Sequence, residues 1–163
     1  MRALKRFNEW LVKAGSWGTI LFIAIIAIVI PYEVIGRYVF QKMTIWTGEV
    51  STYSLVWASM LGGAVGFRKG YLVRMTSVLE SAPPAAAKAL IFLSLVCSLI
   101  FFGAMFSYGL FQTLYNWNQT SPAIGLIMSF PYAALPIGFF IMFSLTMEEF
   151  LESVGLRSKG EDR

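Results

Sequence analysis

The chain has 163 residues, of which 57% are hydrophobic and only 13% charged. Soluble domains carry about 25% charged residues, and a chain this short has too little interior to hide so much apolar surface, so the composition excludes an ordinary soluble domain and points to an integral membrane protein. The formal charge of +4 does not indicate nucleic acid, because the basic residues cluster beside apolar runs and have no polar face on which to form a patch.

The chain has no histidine and one cysteine, Cys97, deep in an apolar run. An intrachain disulfide is impossible, and the missing imidazoles and thiols argue against a transition-metal or haem site, so no cofactor is expected.

Residues 1–13 place Leu4, Phe7, Leu11 and Ala14 on one helical face and Arg2, Lys5, Arg6 and Glu9 elsewhere. That is the pattern of a short basic helix lying in the headgroup layer, with a solvated basic tail as the alternative. The charge-free run 14–32 exceeds a signal-peptide core of about 7–15 residues and lacks a small-residue cleavage site, so it reads as a retained span. With its continuation the first span is 14–38, bent where Pro31 removes a backbone donor.

The second span is 47–67. Ser54, Ala58, Gly62 and Gly66 recur every fourth residue in it, a small-residue stripe that suits close helix packing in lipid. A short amphipathic surface helix is expected over 70–82, ended by Pro83 and Pro84.

From Ala89 to Met147 no residue is charged, which is room for two spans of about 20 residues each. The polar run 116–122 divides them into span three, 87–115, and span four, 123–149. Ser121-Pro122 offers an N-cap and first helical position; a start near Ser129 is the alternative for span four. Pro136 then falls inside the helix, freeing the carbonyl of Tyr132 and kinking it. Residues 150–163 form a polar tail. The fold expected is all-α, one four-span membrane domain.

Lys and Arg set the orientation. Arg2, Lys5, Arg6, Lys13, Arg68, Lys69, Arg74, Lys88, Arg157, Lys159 and Arg163 share one side, against Arg37 and Lys42 on the other. The positive-inside rule puts both termini in the cytoplasm, and Trp46 and Trp117 suit interfacial aromatic belts.

No Asp, Glu, Lys, Arg or His lies in the middle of spans two to four, and no carboxylate pair, activated nucleophile, phosphate loop or metal cluster is present there. The Ser, Thr, Asn and Gln of the spans are expected to close helix–helix hydrogen bonds. The chain therefore reads as an accessory subunit without catalytic or substrate-binding residues. Glu33 and Arg37 stand four apart in the favourable order for an ion pair, and Glu49 suits the first turn of the second helix.

Gly36-Arg37-Tyr38-Val39-Phe40, Trp46-Thr47-Gly48-Glu49, Trp57, Leu61-Gly62-Gly63-Ala64, Ser121-Pro122, Gly125 and Tyr132-Ala133-Ala134-Leu135-Pro136-Ile137-Gly138-Phe139 together resemble the small membrane subunit of tripartite ATP-independent periplasmic (TRAP) transporters, the DctQ-like component. The chain departs from that pattern at Gly48, where a second Glu is common, and at Gly70–Met75. The resemblance implies a scaffold for a secondary importer of an organic acid, such as a dicarboxylate or sialic acid, driven by an ion gradient. Its implied partners are a large membrane subunit and a periplasmic binding protein, in a bacterial inner membrane. Glu33, Arg37, Trp46, Glu49, Trp57, Gly62, Gly66 and Pro136 become candidate structural or partner-interface residues, with Arg37, Trp46 and Glu49 holding the outer ends of helices one and two. A membrane anchor of a redox complex, or a small multidrug exporter, is the alternative; the first usually needs His ligands and the second a carboxylate within a span.

Overall fold

The computed structural model describes residues 2–41, 44–70 and 83–161. The expected surface helix at 70–82 lies almost wholly outside them, as does Lys42. Helix α1 spans Arg2–Tyr38, α2 Ile45–Gly70, α3 Pro84–Tyr115, α4 is the single turn Ser129–Tyr132, and α5 spans Ala134–Glu161. Four stretches are long and apolar enough to cross a bilayer, the last of them formed by α4 and α5 together. Such segments become helices because lipid offers no partner to backbone N–H and C=O groups, which must bond within the segment.

Helix α1 runs without a break from the basic N-terminal turns through the apolar run and past Pro31, so the segment 1–13 is the beginning of one long rod. Likewise the polar stretch after 149 continues α5 to Glu161. Helix α3 starts where Pro84, which needs no amide partner in a first turn, follows Pro83 as N-cap. It ends at Asn116, whose side-chain amide donates to the Gln112 carbonyl at 2.7 Å.

Of the two starts expected for the fourth span, 123 gives way to the alternative near Ser129. The Ser121 amide donates to the Leu126 carbonyl at 2.8 Å, the Gly125 amide to the Ser121 carbonyl at 3.0 Å, and the Met128 amide to the Gln119 carbonyl at 2.8 Å. Residues 119–128 thus form a tight reversal with an isolated antiparallel bridge between Thr120 and Ile127. Gly125 takes φ +67°, the left-handed conformation that a residue without Cβ adopts at little cost. Ser121 therefore caps no helix, and helical structure resumes only at Ser129.

Pro136 lies in the first turn of α5, where its missing N–H is no loss. The interruption falls at Ala133, between α4 and α5, one residue beyond the Tyr132 carbonyl that Pro136 leaves without a helical donor.

The packing order is α1 on α2, α2 on α5, and α5 on α3, with α1 also touching α5. Helix α5 is the hub, and its burial exceeds that of the other spans. Leu61 and Ala64 of α2 meet Ile141 and Leu145 of α5 at the core, with Leu11, Val12 and Phe22 of α1 against them. Aromatic pairs tie α3 to α5: Phe92 with Phe150, Phe102 with Phe139 and Phe106 with Phe140, at centroid distances of 5.6, 6.3 and 5.7 Å.

Most span hydroxyls do not reach across helices, contrary to expectation. Ser16, Thr19, Thr52, Ser107, Thr113 and Thr146 each donate to the carbonyl four residues back on their own helix, at 2.8–3.0 Å. That local bond satisfies the hydroxyl without any neighbour. Ser129, which donates to the Thr113 carbonyl at 2.6 Å, and Ser144 do cross between helices.

Candidate functional site

Polar chemistry gathers at the two ends of the bundle. At the end opposite the termini, α1 finishes with Glu33 and Arg37, whose side chains meet at 2.8 Å one turn apart. Arg37 is half exposed and the pair is internal to the helix. The rings of Tyr32 and Trp46 lie 5.9 Å apart, bridging the end of α1 to the start of α2.

Glu49 sits just beyond the first turn of α2, so its partner is not that helix's own N-terminus. Its carboxylate accepts the Ser121 hydroxyl, the Ala123 amide at 3.1 Å and the Ile124 amide at 3.3 Å. A carboxylate taking an O–H and two N–H groups from one turn is a charge-assisted clasp. One turn further, the Tyr53 hydroxyl contacts the Met128 sulfur at 3.4 Å. One turn beyond that, the Trp57 ring lies 5.4 Å from Phe130 and stacks at 5.4 Å on Phe22 of α1. Its Nε1–H is buried without an acceptor. Residues 49, 53 and 57 share one face of α2, and that face meets the connection from α3 to α5 at residues 121–124, 128 and 130.

The other candidates are packing positions of different kinds. A Cβ at Gly62 would sit 3.3 Å from Thr19 of α1, whereas Gly66 faces open space within 4 Å. The four-residue stripe therefore serves the α1 contact at Gly62 and nothing within the described chain at Gly66. Pro136 presses against α3: a Cβ at Gly109 would lie 3.0 Å from its Cδ and 3.1 Å from its nitrogen.

At the end that holds the termini, a cluster forms that the sequence reading missed. Asn8 of α1, fully buried, donates to Glu148 at 2.6 Å and to the Ser144 carbonyl at 3.1 Å, and accepts the Ser144 hydroxyl at 2.6 Å. Arg68 of α2 reaches both oxygens of Glu148, at 3.0 and 3.3 Å, and Lys5 pairs with Glu152. Three helices are thereby pinned on one carboxylate that is only 5% exposed. Beside it opens a cleft of about 370 Å³ lined by Lys5, Glu9, Phe67, Arg68, Leu145, Glu148, Glu149 and Glu152.

A signal was present: Asn8 stands between Leu4 and Leu11 on the inward face, where a polar residue is out of place. The structure turns Asn8 in and leaves Phe7 exposed, so the face runs through Leu4, Asn8, Leu11 and Val12. Among the described residues no group of three or more His, Cys, Asp and Glu side chains could hold a metal ion.

The family described as "Tripartite ATP-independent periplasmic transporters, DctQ component" matches residues 26–155. The ectoine TRAP transporter small permease protein TeaB of Halomonas elongata is 31% identical over 67% of this chain and 58% of its own length. A putative TRAP transporter small permease protein of Haemophilus influenzae is 25% identical over 99% of this chain and 98% of its own. The isethionate TRAP transporter permease protein DctMQ of Oleidesulfovibrio alaskensis is 26% identical over 77% of this chain, a match that covers 20% of the longer protein.

Proposed function

Because the chain belongs to the DctQ family of TRAP transporters, a multi-pass small permease subunit of the bacterial inner membrane, we propose that it serves as the scaffold of an ion-gradient-driven importer for an organic acid of the dicarboxylate or sialic-acid kind. A large membrane subunit is the partner that the family implies, and the match to one-fifth of a longer DctMQ permease is in keeping with both functions residing in one assembly. A periplasmic binding protein supplies the solute, and both termini face the cytoplasm, as the distribution of Lys and Arg favours.

One observation carries the scaffold reading. Among the residues whose side chains are described, the charged ones lie toward the two ends of the bundle, with Lys5, Arg6, Glu9, Lys13, Arg68, Lys88, Glu148, Glu149 and Glu152 on one side and Glu33, Arg37 and Glu49 on the other. Glu148 and Glu149 stand midway along α5, where Asn8 near the start of α1 and Arg68 near the end of α2 meet Glu148. A pathway for an anion or its coupling ion calls for polar groups at mid-membrane depth, and this bundle offers an apolar middle there. What it offers instead is surface: Ile20, Leu21, Ile23 and Ile28 on α1 and Ile100, Phe101 and Phe111 on α3 are exposed, apolar flanks for lipid and for a larger membrane partner. The relatives' names specify ectoine and isethionate, a diversity that fits substrate choice residing outside this subunit.

The test is co-expression with a candidate large subunit, followed by detergent extraction and reconstitution. The pair is expected to purify together and to take up solute only when the binding protein is added. Uptake by the small subunit alone would overturn the reading.

A further inference from the structure

We propose that Glu49 is a positioning residue, which fixes the 119–128 reversal as one preformed surface against the Glu49–Tyr53–Trp57 face of α2. This rests on the proposed function: with both termini in the cytoplasm, the 119–128 side faces the periplasm, where the binding protein is.

Two independent features of the reversal support the assignment. Its own backbone bonds, from Ser121 to Leu126, Gly125 to Ser121 and Met128 to Gln119, close the loop but give the amides of Ala123 and Ile124 no backbone acceptor. Those two amides are the ones Glu49 accepts, together with the Ser121 hydroxyl. Second, the loop is uncharged, so no other carboxylate within it can take the place of Glu49. Amides at a membrane boundary that lose their acceptor must turn to water, and the turn they define then loses its single conformation. Trp117 and Ile127, exposed on either side of the clasp, would lose their fixed spacing with it.

One turn below, Tyr53 touches Met128, the last residue of the reversal, and a further turn below Trp57 touches Phe130 just beyond it. Neither replaces Glu49, because a thioether contact and a ring contact set no direction for the tip amides.

The experiment uses the complete transporter in a Cys97→Ser background with Ile127→Cys as a reporter for a membrane-impermeant maleimide. Glu49→Gln keeps the shape but removes the charge and one acceptor, and is expected to raise the labelling rate about tenfold, as the loss of charge-assisted bonds dictates. It is also expected to raise the binding-protein concentration for half-maximal uptake, with maximal uptake and co-purification with the large subunit unchanged. Glu49→Asp should recover part of both effects, and Thr52→Ala, whose hydroxyl bonds only its own helix at Gly48, should change neither. Unchanged labelling in Glu49→Gln would overturn the proposal. So would loss of the large subunit from that variant, which would make Glu49 an assembly residue. Failure of the unmodified chain to co-purify would instead overturn the scaffold reading, while labelling of the small subunit alone would still judge Glu49.

Discussion

The two ends of the bundle are held by opposite means. At the end with the termini, side chains from α1, α2 and α5 converge on Glu148, so helix is tied to helix. At the other end Glu49 reaches the backbone of a connection, while α3 and α5 meet through Gly109 and Pro136 with little side chain between them. A side-chain hub fixes the relative placement of long rods. A backbone clasp fixes the shape of a short segment. The difference predicts that disturbing the first end destabilises the whole bundle, and that disturbing the second changes local form.

The largest effect is expected at the hub. Glu148→Ala strands Arg68 half-buried without its partner and should cost about 3–5 kcal/mol, read as a lower unfolding temperature in detergent. The double variant Arg68→Met with Glu148→Met should recover most of that loss, because both buried charges are then gone. If the double variant is as unstable as the single, the hub is not an ion-pair hub.

Gly109→Ala sharpens the contrast from the other side. Its new Cβ would meet ring and backbone atoms of Pro136, which cannot swing away, and should cost about 1–3 kcal/mol. Gly66→Ala, in open space, should be neutral or slightly stabilising by helix propensity. Asn8→Ala removes two donors and an acceptor from the hub and should cost about 1–3 kcal/mol by the same thermal assay. The smallest loss of stability belongs to Glu33→Gln. Its pair with Arg37 is partly exposed and local to α1, so about 0.5 kcal/mol or less is expected, a shift near the limit of a melting measurement.

What was legible in the chain follows from the range of each interaction. The length of charge-free runs reports directly on spans, and the described residues hold the four apolar helices that those runs imply. The i, i+4 order of Glu33 and Arg37 reports on a pair within one helix, and the pair is there. Arg68 and Glu148 are 80 positions apart, and Asn8 and Glu148 are 140 apart. Their meeting depends on α5 lying between α2 and α3, which no local period encodes. The start of the last span was misread for a related reason. Ser121-Pro122 is a good local helix start, but its donors are taken by Glu49, 72 positions earlier, and the long-range carboxylate outweighed the local preference.

The unbroken course of α1 has a consequence for distance. At 37 residues and 1.5 Å per residue it is about 55 Å long, against a hydrocarbon thickness of about 30 Å. Because Asn8 fastens its early turns to α5, the excess is not a loose leader but a rigid gauge, projecting past the apolar layer with Lys5, Arg6 and Lys13 at fixed heights along it. The first helix thus sets the height of those cations relative to α2 and α5, whatever level the bundle takes in the membrane.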